Sequence, residues 1–193
     1  SAGWLSILII CWAALSSAAV FAYHDFRRIG VDDGLPNATI YSVAQDKQGY
    51  IWLTSTNSGL LRYDGYNFAE FPVLQPDEVR HQASLDVGVL LIDRQANIWA
   101  GTWGYGLSRI DAQTGKLSRF VTDRKSADAL AGMQIQSLFE DRTGHLWIGT
   151  TEGLNRLSPD GLMQRIGAPG SAVALRHQRI WSLAQTEDGK IWI

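Results

Sequence analysis

The side chains that could transfer protons, hold metals or attack a substrate are few in this chain, and they are scattered. Four histidines, His24, His81, His145 and His177, lie far apart, with no partner at metal-ligand spacing. Asp32 and Asp33 adjoin, yet Asp-Asp-Gly ahead of Leu35-Pro36 has the composition of a turn rather than of a carboxylate pair at work. No Gly-x-Ser-x-Gly elbow occurs. The run Gly101-Thr-Trp-Gly104-Tyr-Gly106 falls between two predicted strands, where a hairpin loop is expected, and not between a strand and a helix, where phosphates are cradled. Asn37-Ala-Thr39 fits a glycosylation acceptor, a pattern too common to weigh. The single cysteine, Cys11, builds no disulfide framework, and Ile10 before it occupies the place where a lipoprotein attachment site needs a small residue. These residues predict no catalytic group, no metal and no cofactor in this stretch. A net charge of −2, with both signs dispersed, argues against a nucleic-acid surface.

What the chain does specify is a repeat. Trp52, Trp99, Trp147 and Trp192 recur 45 to 48 residues apart, each at the end of a turn-and-strand unit. The copies are Asp46-Lys-Gln-Gly49-Tyr-Ile-Trp52, Asp93-Arg-Gln-Ala-Asn97-Ile-Trp99, Asp141-Arg-Thr-Gly144-His-Leu-Trp147 and Glu187-Asp-Gly189-Lys-Ile-Trp192. Around the first copy, alternating β-branched and polar residues predict strands over 39–45, 50–56, 60–63 and 68–73, separated by the breaks at Asp46 to Gly49, Asn57 to Gly59 and Asp64-Gly65. Four antiparallel strands in about 45 residues is the content of a β-propeller blade. The expected fold is therefore all-β, with blades at about 39–73, 87–121 and 135–166 and a fourth from 180 onward. Asp46, Gly49, Asp141, Gly144 and Gly189 are expected to set the hairpins, and Trp52, Trp99, Trp147 and Trp192 to fill the space between neighbouring blades.

Three blades and part of a fourth fall short of a closed ring, so the chain is expected to be a piece of a longer propeller. Residues 1–22 carry no charge and are almost wholly apolar; with small residues at Val20 and Ala22 they predict a signal peptide cleaved after Ala22, or else a helical membrane anchor. Residues 23–38 form a lead-in to the repeats.

Ile40 to Asp64 resembles the two-component regulator propeller repeat, as does Ile135 to Leu157. Phe26 to Pro36 is similar to the lead-in of such propellers in bacterial sensors. The resemblance covers about Phe26 to Ile193. The second copy departs from it, with Gln95-Ala96-Asn97 where the turn glycine is expected and Trp103-Gly104-Tyr105 inserted before Gly106, which puts the tightness of its first hairpin in question. The resemblance implies a periplasmic sensing domain of a bacterial inner-membrane receptor, a homodimer at full length. A membrane helix and a histidine kinase or diguanylate cyclase would follow, and the small-molecule ligand is often a carbohydrate fragment. It also implies that Phe26 to Val31 supplies the strand that closes the last blade.

On a propeller, inter-blade loops gather at one end of the channel, and such concavities take small ligands. Arg80, His81, Arg124, Lys125, Arg176, His177 and Arg179 are expected to ring that end with donors, and Tyr41, Trp103, Tyr105 and Trp181 to offer stacking faces. Two other classes fit the repeats. One is an exported propeller enzyme of streptogramin-lyase or quinoprotein type; the other is a scaffold propeller with no small ligand.

Overall fold

The computed structural model describes residues 27–74, 86–123, 125–126, 128–167 and 174–193. The apolar segment expected to be a signal or anchor, and Arg80, His81 and Arg124, lie outside the described residues. Three four-stranded antiparallel sheets follow one another as meanders: β1 to β4 (Ile40–Gln45, Ile51–Ser55, Gly59–Tyr63, Phe68–Phe71), β5 to β8 (Val87–Ile92, Ile98–Thr102, Leu107–Ile110, Leu117–Phe120) and β9 to β12 (Ile135–Glu140, Leu146–Thr150, Leu154–Leu157, Met163–Ile166). A fourth, two-stranded sheet pairs β13 (Ala184–Gln185) with β14 (Ile191–Trp192). The first strands approach one another, β1 beside β5 and β5 beside β9, which makes them the axial strands of neighbouring propeller blades. The described part of the lead-in contains a single 3-10 turn, Val31–Asp33, stopped by Gly34 and capped by Asp33 Oδ2 on the Gly30 N–H; Asp32 and Asp33 belong to that turn.

The core lies between sheets because each sheet carries two apolar faces. In the first blade Trp52, Leu60, Ala44 and Phe71 share a face and meet Val87, Leu90, Ile98 and Ala100 of the second. One period later Trp99, Leu107 and Phe120 meet Leu130, Ile135, Leu146 and Ile148. Trp52 and Trp99 are each only 4% exposed, Trp147 is half-buried, and Trp192, with no later sheet among the described residues, is 65% exposed. Burial of the repeated tryptophan therefore depends on a neighbouring blade. Truncating such a side chain costs about 3–5 kcal/mol in a packed core.

Sheet spacing is read out at one position per repeat. A Cβ on Gly101 would come within 2.7 Å of the Ile135 Cβ, and one on Gly149 within 2.7 Å of the Ile180 Cγ2. The corresponding residue of the first blade is Thr54, fully buried. The second and third blades thus approach their successors more closely than a side chain there allows.

Candidate functional site

Each blade has two ends, and they differ in chemistry. At the end where the first and second strands turn, one carboxylate organises each hairpin. Asp46 Oδ1 accepts the Gln48 and Tyr50 N–H groups at 3.0 Å, while its Oδ2 accepts the Trp52 indole N–H at 2.8 Å. Asp93 does the same for the Asn97 N–H and the Trp99 indole, and Asp141 for the Thr143 and His145 N–H groups and the Trp147 indole, each indole bond 2.8 Å long. Burial raises the Asp141 pKa, but bonds from the Thr143 hydroxyl, the Trp147 indole and the His145 and Thr143 backbone outweigh it and hold the carboxyl down to about 2. His145 is part of the same turn, its Nδ1 2.8 Å from the Thr143 hydroxyl. The second copy is as tight as the others: Ala96 takes the glycine's place with φ +68°, beside +93° for Gly49 and +85° for Gly144, and the Ala96 N–H still reaches the Asp93 carbonyl at 2.9 Å. The substitution is absorbed as backbone strain rather than as a looser turn.

Two sets of cations at this end are legible in the sequence only once the strand register is known. Trp52, Trp99 and Trp147 face Arg62, Arg109 and Arg156 across the ladder, with the guanidinium carbon 5.6 to 5.9 Å from the indole centroid. The signal was the recurring Gly-Leu-x-Arg at Gly59, Gly106 and Gly153. The residue after each turn aspartate reaches the next blade: Lys47 Nζ donates to the Arg94 carbonyl at 2.7 Å, Arg94 to the Arg142 carbonyl at 2.9 Å, and Arg142 to the Glu187 carbonyl at 2.6 Å. Clefts of about 430 and 280 Å³ lie between blades here, one lined by Asp46, Trp52 and Arg62, the other by Asp93, Asn97, Trp99 and Arg109. Their polar groups serve the fold: Asn97 bonds Asp93 and the Ala112 N–H, and Arg109 bonds Asp111. Among the described residues no group of His, Cys, Asp and Glu is arranged to hold a metal.

At the opposite end, where the inter-blade connections run, the axial strands carry a recurring irregularity. The ladder slips between Ile40 and Ser42, between Val87 and Val89, and between Ile135 and Ser137, leaving Tyr41, Gly88 and Gln136 as the bulged residues. A bulge re-aims a side chain. By the same spacing Trp181 stands at this place in the fourth copy. Tyr41 and Trp103 are brought together, ring centroids 4.7 Å apart at 53°, both partly exposed. Trp181 is 65% exposed, has the Arg179 guanidinium carbon 5.6 Å from its ring, and lines a cleft of about 540 Å³ with Arg176, His177 and Ile193. Tyr105 lies beside Trp103 in sequence, with its carbonyl taken by the Arg119 guanidinium. Lys125 sits on an exposed turn closed by its N–H on Asp123 Oδ1. That connection is held from the third blade, where Arg165 donates to the Ala129 and Leu130 carbonyls and the buried Asn155 bonds Ala129 and Ala131. Among the described residues no ring contact or hydrogen bond joins the Tyr41–Trp103 pair to the Trp181 cleft. Sequence reasoning missed Gly88, whose signal was its place one period after Tyr41.

Residues 34–57 and 129–152 match the family model of the two-component regulator propeller. These are the first and third copies, each ending just past its tryptophan-bearing strand. The chain superposes on the extracellular domain of a protein assigned to the hybrid two-component systems, BT3049 of B. thetaiotaomicron, with a TM-score of 0.73 at 24% identity over 86% of this chain and 23% of that one. On a second such domain, BT4673 of B. thetaiotaomicron, the TM-score is 0.64 at 31% identity over 82% of this chain and 20% of that one. Histidine kinase P4 of Formosa agariphila is 28% identical over 108 residues, 54% of this chain and 8% of the kinase. The chain thus spans about a fifth of the extracellular domains and under a tenth of the kinase. Two of its copies match the two-component regulator propeller, and its sheets are folded as β-propeller blades.

Proposed function

We propose that this run of two-component regulator propeller repeats is part of the extracytoplasmic sensing region of a bacterial transmembrane receptor, with histidine kinase output. The observation that carries the reading is the 31% identity, over most of the chain, to an extracellular domain assigned to a hybrid two-component system. A small ligand, a carbohydrate fragment in this reading, binds at the connection end, where Tyr41, Trp103, Tyr105 and Trp181 offer ring faces and Lys125, His177 and Arg179 offer donors. Binding signals only if it favours one of two arrangements of the receptor homodimer, because a ligand shifts an equilibrium by no more than its differential affinity for the two states. A diguanylate cyclase output would use the same propeller logic, and the match to a named histidine kinase favours the kinase. Among the described residues no helix is long and apolar enough to cross a membrane, so the anchor in this reading is residues 1–22 or a later span.

Topology tests the location. Tyr66 is 87% exposed on a turn, and a Tyr66→Cys variant of the full-length protein, with Cys11 replaced by serine, is expected to react with a membrane-impermeant maleimide in cells whose outer membrane alone is permeabilised. Labelling only after lysis of the inner membrane contradicts an extracytoplasmic propeller.

A further inference from the structure

Arg62, Arg109 and Arg156 hold one place in the three blades, across the ladder from the repeated tryptophan, yet their side chains end differently. Arg109 donates to Asp111 Oδ2 at 2.9 Å and to Asn97 Oδ1 at 3.3 Å, and Arg156 donates to Gln164 Oε1 at 2.7 Å. Arg62 has no hydrogen bond and no ion pair among the described residues. The repeat explains why. Its neighbour on the fourth strand is Ala69, where the third blade has Gln164. Tyr50 stands where the second blade has Asn97. Asp64, placed as Asp111 is, spends its Oδ1 on the Tyr66 and Asn67 N–H groups at 2.8 and 2.7 Å. Rings hold the guanidinium instead: its carbon lies 4.4 Å from the Tyr50 centroid, 5.1 Å from that of Phe71 and 5.9 Å from that of Trp52.

We infer that the turn-end cleft between the first and second blades, about 430 Å³ and lined by Arg62, binds a small monocarboxylate with an apolar body. The guanidinium carries five N–H donors in a planar fork that matches a carboxylate bidentately, and here none of them is spent on a described residue. The rings that pack on it hold the fork in place before a ligand arrives, so less side-chain freedom is lost on binding. The apolar body is called for by Ala96, Ile98, Ile110 and Ala112, which line the same cleft. The single charge follows from Asp46 and Asp111, also on its walls. Each of these carboxylates already accepts backbone N–H groups, and each repels a second anionic group on the ligand. The cleft lies at the end of the blades opposite the connections, so the site goes beyond the sensing function proposed above and stands or falls without it.

The test titrates the full-length protein, held in lipid nanodiscs, with benzoate and phenylacetate, with their neutral amides and with the dianion phthalate, followed by saturation-transfer NMR of the probes. A monocarboxylate is expected to bind roughly tenfold or more tightly than its amide, and Arg62→Gln to remove that preference. Ala69→Gln, at an exposed position, gives the guanidinium the acceptor that Gln164 gives Arg156, and is expected to weaken carboxylate binding severalfold with Arg62 still in place. Circular dichroism reports whether each variant folds, and Ala69→Gln decides the matter if Arg62→Gln does not. Monocarboxylates that bind no better than their amides, or not at all, overturn the site, as does undiminished binding in both folded variants. Phthalate bound as tightly as benzoate overturns the single-charge assignment.

Discussion

Ala96 is where a single residue pays for the repeat. It holds a left-handed φ of +68° that its counterparts fill with glycine, a conformation that costs an L-residue roughly 1–2 kcal/mol. Ala96→Gly is therefore expected to stabilise the protein, by about 1 kcal/mol once the extra freedom of the unfolded glycine is subtracted, as a rise in the urea midpoint at constant slope; a fall in the midpoint would mean the turn relaxes the strain elsewhere. Asp141 gives a second residue-scale expectation. Its carboxyl, held down to about 2 against an ordinary 3.8, contributes stability that is complete above pH 4 and is lost as pH falls through the interval between those values. The contribution is about 2 kcal/mol. The stability difference between wild type and Asp141→Asn should accordingly shrink between pH 4 and pH 2; a difference that stays constant would remove the carboxylate's special role. The spacing of aspartate, glycine and tryptophan disclosed these turns before any coordinates. The indole N–H bond to the aspartate did not follow from spacing, since a partner six residues away meets the ring only after the hairpin has folded back.

Between elements, the deciding quantity is how closely one blade's second strand approaches the next blade's axial segment. Gly101 and Gly149 sit where a Cβ would fall 2.7 Å from Ile135 and Ile180. Gly101→Ala is expected to destabilise by roughly 1–3 kcal/mol through overpacking, whereas Gly30→Ala, with nothing within 4 Å of its added Cβ, should change stability by less than about 0.5 kcal/mol. Equal effects of the two substitutions would show that the sheets part freely. Alternation and turn residues located the four strands of the first blade to within one or two residues, because hairpin meanders are local. The bulges at Tyr41, Gly88 and Gln136 were illegible: a one-residue slip leaves no composition signature when the bulged residue is tyrosine in one copy and glutamine in another. The same slip decides which side chains face the connection end, so Tyr41 and Trp103 were named separately from sequence and recognised as a pair only in the fold.

For the whole molecule, the blades are joined by apolar faces and by the chain of cations Lys47, Arg94 and Arg142, each bonded to the carbonyl of the next blade's turn. The links repeat with the period of the blades, so a change at one junction is tied to the next through direct bonds rather than through solvent. Trp103 touches three blades at once, by its ring on Tyr41, its backbone on Asp86 and its bridge to Gln134, which gives a ligand resting there purchase on inter-blade geometry. In the proposed sensing function that placement links the candidate site to the output of the full-length receptor, which is its most direct readout. The measurement is phosphate incorporation from labelled ATP by the full-length protein in inside-out membrane vesicles, with an oligosaccharide loaded into the lumen. The sensing function predicts that a bound oligosaccharide changes the phosphorylation level severalfold and that Trp103→Ala removes the response while basal phosphorylation persists. Phosphorylation that ignores a sugar shown to bind, or a full-length protein with no phosphorylating or cyclase output at all, would contradict it.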